Sequence, residues 1–393
     1  MTGGFSGLRA LGVPRERLPS GLDALRAEVR DVLAAERAGG RYRRSPAGWD
    51  SFDPAFSRRL AQRGWIGMTW PRAYGGQERS ALERYVVQEE LLAAGAPVRA
   101  HWLADRQIGP LLLAVGTEAQ KAAWLPRIAA GECFLCVAMS EPDSGSDLAS
   151  IRTRAEPVAG GWRITGSKTW SSNAHRVHAI NVFARTAPRS ENDRHGGVTQ
   201  FLVDRDAPGL TVRPIVNAAG EHDFNEVHLD GVLVPENRLI GKLHGAWSQV
   251  SDELAYERAG PERWMNSYNL IVSLADAAAR GDLAEGGAER FGRLVAHLWT
   301  LHRMSLGTAA LLGEGVVPAV EAALVKDLGT NFDQLVPEIA RLAIDPARRT
   351  ALPPDDPLPE RLAYAQLYAP SFTIRGGTRE VLRGIIARGL GLR

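Results

Sequence analysis

A chain of 393 residues is long enough for two or three packed domains, and 45% hydrophobic with 23% charged residues is an ordinary globular composition. The formal net charge of +2 gives no electrostatic case for nucleic acid or an anionic membrane surface as partner. No segment approaches the apolar length needed to span a bilayer, so a membrane protein is not expected.

In chain order, Met1-Thr2-Gly3-Gly4-Phe5 shows no basic stretch before an apolar run, which makes a cytoplasmic location the default expectation. From residue 20 to about 130 the pattern is helical. Leu22, Leu25, Val29, Val32 and Leu33 recur at helical spacing behind Ser20, a plausible N-cap. Asp53-Pro54 predicts a second helix start and Gly64 its end; Ser80 with Glu83, and Thr117 with Gln120, read as capping boxes, with Gly95 as the stop after the first of these. Cys133-x-x-Cys136 has the spacing of a redox pair or half a zinc site. No nearby Cys or His pair supplies the other ligands, so two buried reduced thiols and no metal are expected.

Between Phe134 and about Gly241 the period changes to two. Trp162–Thr165, Ile180–Ala184, Phe201–Val203 and Leu210–Val212 predict short strands of an antiparallel barrel or sandwich, with residues 189–197 as an exposed loop. Helical periodicity returns from Ala246, with apolar stripes through Phe291–Leu301 and Leu324–Ile339 that predict a bundle. Residues 345–359 hold five prolines and are expected to be a non-helical surface crossing. The expected fold class is α+β: an N-terminal helical domain over 1–133, a middle β domain over 134–243 and a C-terminal helical bundle over 244–393.

The stretch that carries chemistry lies in the β domain. Ser140-Glu141-Pro142-Asp143-Ser144-Gly145-Ser146-Asp147 offers small hydroxyl and glycine residues whose backbone N–H groups can approach a phosphate; Gly166-Ser167-Lys168-Thr169-Trp170-Ser171-Ser172-Asn173 offers an indole face beside two hydroxyls. Each half alone also suits a plain loop and a core tryptophan. Their order and separation resemble the acyl-CoA dehydrogenase family of flavoenzymes, in which a T/S-E-P-x-x-G-S-D segment and a G-x-K-x-W-[IST]-[ST]-N segment cradle FAD. The resemblance extends over nearly the whole chain, through Gly64-Trp65-Ile66-Gly67, Tyr74-Gly75-Gly76, Phe224-Asn225-Glu226-Val227, Val234-Pro235 and Gly376-Gly377-Thr378-Arg379-Glu380.

The resemblance implies FAD as cofactor, an acyl-CoA substrate and an electron-transfer flavoprotein or similar acceptor. It places Met139 and Ser140 against the flavin ring, Gly145 and Ser146 at the phosphate-side turn, and Trp170, Ser171 and Ser172 beside the isoalloxazine, with Ser172 near N5. Thr378 and Glu380, at the start of the last helix, match residues that meet the adenosine-diphosphate end. The chemistry asks for a base that takes an α-proton as a hydride leaves the β-carbon. In many relatives that base is a Glu just before the Gly-Thr of the C-terminal motif, where this chain has Gly376. Other relatives carry it in an L-x-x-E-R segment, and Leu254-Ala255-Tyr256-Glu257-Arg258 makes Glu257 the candidate base with Arg258 beside it.

Two departures bear on assembly. Many relatives contact FAD across a subunit interface through Arg-x-x-Phe-Gly and Gln-x-x-Gly-Gly-x-Gly segments; here stand Arg290-Phe291-Gly292, one spacing off, and Leu328-Gly329-Thr330-Asn331-Phe332, with no glycine pair. Either a homotetramer or an α2β2 heterotetramer is compatible. Two alternatives to acyl-CoA desaturation stay open at this level: a flavin-dependent oxidase or hydroxylase of the same fold acting on a carrier-bound or non-CoA substrate, and a non-catalytic partner subunit.

Overall fold

The computed structural model of the protein describes residues 21–42, 45–189, 193–249, 260–350 and 352–392. Among them the helices α1 Gly21–Ala38, α2 Pro54–Gln62, α3 Ala81–Ala93, α4 Arg99–Leu103, α5 Gly109–Val115 and α6 Glu118–Ala129 come first. The strands β1 Leu135–Ala138, β2 Arg154–Val158, β3 Gly161–Ser172, β4 Ala179–Arg185, β5 Val198–Asp204, β6 Leu210–Ile215, β7 Phe224–Pro235 and β8 Leu239–Ile240 follow. Helices then return as α7 Tyr268–Arg280, α8 Gly287–Gly313, α9 Ala319–Ala343, α10 Pro346–Thr350, α11 Leu358–Tyr368 and α12 Arg379–Gly389. The α+β order read from the sequence is the observed one.

At Asp53, Ser80 and Thr117 local chemistry starts the helices where the sequence placed them, while Ser20 lies outside the described residues. Asp53 accepts from Phe56 N–H at 2.9 Å with Pro54 in the first turn, and both capping boxes are complete, Ser80 with Glu83 and Thr117 with Gln120. Gln120 does more than cap. Its Nε2 donates to Asn237 O (2.8 Å) and Leu239 O (2.6 Å), fastening α6 to the end of the β region.

Contacts gather the described residues into two units. One comprises residues 21–51, 80–97 and 260–392, so α1 and α3 pack with the later helices. Within it Arg26 pairs with Glu89 at 2.8 Å and with Glu90, and Arg30 with Glu90 at 2.7 Å. In the same unit α9 presses against Arg263 and Trp264: a Cβ added at Gly329 would lie 2.4 Å from Arg263 O. Gly329→Ala should therefore destabilise the protein by about 1–3 kcal/mol, read as a lowered urea midpoint with unchanged slope; a wild-type midpoint would contradict the close approach.

The other unit comprises residues 52–79 and 98–249. Its sheet runs in the order β6-β7-β3-β2-β4-β5-β8, with β1 pairing β4. Most neighbours are antiparallel as expected, but β4 has two parallel partners: β1, with Leu135 opposite Ala179 and Ala138 opposite Val182, and β2, with Arg154 opposite Arg185. The β2–β3 hairpin between β1 and β4 is long enough for the crossover that a parallel pair requires. Inward residues such as Ile164, Ile180, Val182, Phe201, Val227 and Val232 form the core. Cys133 and Cys136 are both free and buried, and burial pushes their thiols up to about 11 and about 12, so they pack as protonated apolar groups.

Residues 345–359 correct one expectation: the proline-rich crossing is not free of helix. Ala347 N–H donates to Asp345 Oδ1 (2.8 Å) at the start of α10, and Leu358 N–H to Asp356 Oδ1 (2.9 Å) at the start of α11. Pro346 and Pro359 occupy first-turn positions, where a missing N–H costs nothing.

Candidate active site

Beyond β1 the chain enters Met139 and Ser140, both half-buried, and then a tight turn. Glu141 and Ser144 exchange backbone hydrogen bonds of 2.8 and 3.1 Å, Ser144 Oγ donates to Asp147 O at 2.5 Å, and Ser150 Oγ donates to Asp147 Oδ2. Gly145 and Ser146 form the exposed tip, and a Cβ added at Gly145 would meet nothing within 4 Å. The turn is fixed from below while its outer face lies open to a ligand.

The anchor is Glu141. Its carboxylate accepts Arg152 N–H (2.6 Å), Thr153 N–H (2.9 Å) and Lys168 Nζ (2.8 Å), and the same ammonium donates to Met139 O (3.1 Å). Burial alone would raise the Glu141 carboxyl, but Lys168 and the two backbone donors outweigh it and hold it below the usual range. Lys168 has no exposed surface; burial pulls it down, Glu141 pulls it back, and it stands at about 8, charged at neutral pH. Both residues lie within the two sequence motifs, yet pattern alone singles out neither of them as part of the site. The available signal was a lysine at an inward position of an alternating strand, with one acidic residue in the preceding motif.

The second half of the motif departs from regular strand. Lys168 pairs with Val227 and Ser171 with Asn225, so Thr169 and Trp170 together oppose Glu226 alone, which is a β-bulge. The bulge frees Thr169 N–H to donate to Ser140 O at 2.9 Å, joining the two halves. Trp170 stands at φ 59°, 56% exposed, its ring edge-on to Phe224 at 5.7 Å and 76°. Ser172 is half-buried opposite Phe224, and Ser171 is buried with its Oγ lacking a hydrogen-bond partner among the described residues. An exposed indole held at positive φ, a buried hydroxyl in want of a partner and an open glycine tip fit the flat ring and phosphates of FAD.

The remaining expected residues are not among the described residues of this unit. In the first unit Thr378 caps α12, its side chain accepting from Val381 N–H, and Glu380 sits in the first turn with its carboxyl lowered by its own backbone N–H and by Thr378. Lys326, fully buried, donates to Arg375 O (2.9 Å) and Gly377 O (2.5 Å) on either side of Gly376. Glu257 and Arg258 fall outside the described residues. Among the described residues no group of three His, Cys, Asp or Glu is placed to hold a metal, and no helix is long and apolar enough to cross a membrane.

Family models for the acyl-CoA dehydrogenase N-terminal domain and middle domain match residues 21–132 and 136–232. Acyl-CoA dehydrogenase IpdE1 of Mycobacterium tuberculosis (strain ATCC 25618 / H37Rv) is 33% identical over 390 residues, covering 94% of this chain and 98% of that protein. The chain belongs to the acyl-CoA dehydrogenase family. With that membership it is an oxidoreductase of acyl-CoA dehydrogenase type. Acyl-CoA dehydrogenase FadE34 of the same strain is 32% identical over 331 residues, 84% of this chain but only 45% of that longer protein. A solved structure, the Tcur3481-Tcur3483 steroid acyl-CoA dehydrogenase, superposes with a TM-score of 0.83 at 28% identity, covering 96% of this chain and 99% of its own.

If the exposed indole serves the flavin and not the fold, Trp170→Ala should leave the thermal midpoint of the flavin-free protein nearly unchanged. FAD affinity should fall by about 10- to 100-fold, the worth of one ring-stacking contact of roughly 1–3 kcal/mol. Flavin fluorescence titration reads the affinity. A wild-type dissociation constant would remove Trp170 from the site.

Proposed function

We propose that this acyl-CoA dehydrogenase binds FAD along the bulged edge of its sheet and desaturates an acyl-CoA thioester between the α- and β-carbons. The observation that supports it most is the bulge at Thr169–Trp170, which ties Ser140 to the strand and turns the indole out of the core. When bound, FAD supplies the acceptor for the β-hydride. The chain's own groups do the rest. Trp170 offers a stacking face, Ser171 and Ser172 offer hydroxyls at the ring, and the Gly145–Ser146 tip leaves room for the pyrophosphate. Glu257, chosen on its L-x-x-E-R setting, takes the α-proton, with Arg258 beside it to orient it or contact substrate.

The substrate class we assign is a bulky polycyclic acyl-CoA, in keeping with the steroid enzyme that the chain resembles in sequence and fold. Partner chains enter the proposal through α8 and α9. Leu328, Leu335 and Leu342 recur every seven residues on α9 and are 44%, 40% and 44% exposed, and Trp299 on α8 is 68% exposed. Segment 328–332, where many relatives have a glycine-rich FAD contact, is continuous helix here. We therefore favour an assembly whose second chain completes the FAD site, an α2β2 heterotetramer, over a homotetramer.

A dehydrogenase shields its reduced flavin from oxygen and passes electrons to a protein acceptor such as an electron-transfer flavoprotein. Turnover with a polycyclic acyl-CoA should accordingly reduce a ferricenium or flavoprotein acceptor at least tenfold faster than it consumes oxygen. Oxygen uptake matching turnover would favour the oxidase or hydroxylase reading, and first rank for straight-chain acyl-CoAs would refute the substrate class.

A further inference from the structure

Past the bulge, the β3–β7 ribbon ends in backbone that ordinary residues avoid: Trp170 and Asn173 stand at φ 59° and 54°, two left-handed non-glycine residues within four positions. Such strain persists only where neighbouring contacts over-determine it. Two hydrogen bonds do so here. Asn173 N–H donates to Asp223 O at 2.6 Å, and Asn225 Nδ2 donates to Ser171 O at 3.0 Å.

The second bond belongs to a chain whose polarity is fixed. A backbone carbonyl only accepts, so the fully buried Asn225 must turn its NH2 to Ser171 and its Oδ1 to His222, whose Nε2 lies 2.7 Å away. That oxygen only accepts as well, so His222 carries a proton on Nε2. His175 lies parallel to His222 with ring centroids 3.9 Å apart and planes within 13°. Two rings in such contact tolerate at most one positive charge. Burial, followed by His222 and Arg176, brings His175 down to about 4, which keeps that ring neutral near neutral pH.

We propose that His175, His222 and Asn225 are positioning residues, a clamp that fixes the Ser171 carbonyl and with it the strained turn presenting Trp170 and Ser172 to the flavin. The clamp acts through Ser171 and touches no reacting atom. It rests on the FAD reading given above.

The test titrates FAD into flavin-free wild type, His222→Ala, His222→Gln and Asn225→Ala, recording the visible bands of the bound flavin and the melting midpoint of each flavin-free protein. Loss of the His222–Asn225 hydrogen bond predicts about tenfold weaker FAD binding in His222→Ala, and Asn225→Ala, which also loses the bond to Ser171 O, should bind FAD at least as weakly. Altered flavin bands should accompany it, with recovery in His222→Gln, whose amide donates in the same direction. Wild-type affinity and bands in both alanine variants overturn the clamp. Should Asn225→Ala fail to fold, the His222→Ala and His222→Gln pair carries the comparison alone. A wild type that takes up no FAD, alone or with the partner chain that completes the site, sinks the cofactor reading instead. The clamp is then read from the ring nitrogen shifts of labelled histidines: an Nε2-protonated His222 whose tautomer balance moves in His222's partner variant Asn225→Ala supports it, and identical shifts overturn it.

Discussion

Glu257→Gln should leave FAD bound and slow bleaching of the flavin by acyl-CoA by about 10²- to 10⁴-fold, the usual worth of a positioned general base. The substitution keeps size and hydrogen-bonding capacity and removes only the capacity to take the α-proton, so rapid-mixing absorbance isolates that step. Bleaching at the wild-type rate would remove Glu257 from the mechanism. The common family position offers no substitute. Gly376 stands at φ 63°, and a Cβ built there lies 3.4 Å from Arg263 Nη1 and 3.7 Å from Lys326 Nζ. A carboxylate introduced by Gly376→Glu would meet two cations and a left-handed backbone, a strain of roughly 1–2 kcal/mol. The double variant Glu257→Gln/Gly376→Glu should therefore stay inactive.

Lys168→Met should cost about 3–5 kcal/mol, because it leaves the buried Glu141 carboxylate with its backbone donors alone. A loss of that size lowers the melting midpoint by roughly 5 °C and loosens the turn that Glu141 ties to Arg152 and Thr153. The pH dependence fixes the sign. In the wild type Glu141 is held below its ordinary value, so its stabilisation is fully present above about pH 4.5 and fades as pH falls through the lowered folded value. Without Lys168 only the Arg152 and Thr153 donors oppose the burial that raises Glu141, so protonation costs the folded variant less than it costs the wild type. The gap between the two proteins should be widest at pH 7 and narrow toward pH 4. A gap that does not change with pH would mean that Lys168 acts through packing alone.

Much of this was legible in the sequence where physics is local. Asp53, Ser80 and Thr117 announce their helices because a cap needs only a side-chain oxygen and the next turn. The paired motifs around Ser140 and Trp170 were found by their order. The bulge was not. Strict alternation from Lys168 turns Trp170 to the buried face, and the extra residue at Thr169–Trp170 turns it outward. Nor could local pattern show that α1 and α3 pack with helices beyond residue 260 while α2 and α4–α6 pack with the sheet, since that partition rests on contacts distant along the chain. Prolines 346 and 359 misled because the same residue that breaks a helix interior also begins one. Glu141 and Lys168 carry no decisive local signal, because burial, not composition, makes an ion pair structural.

The most direct test is an anaerobic titration of the FAD-reconstituted protein with a polycyclic acyl-CoA, followed by visible absorbance. The expected result is a yellow protein whose oxidised flavin bands disappear in proportion to substrate added. A protein that holds no flavin even with the partner chain that completes its site, or whose bands persist with every acyl-CoA offered, would contradict FAD-dependent desaturation by this chain.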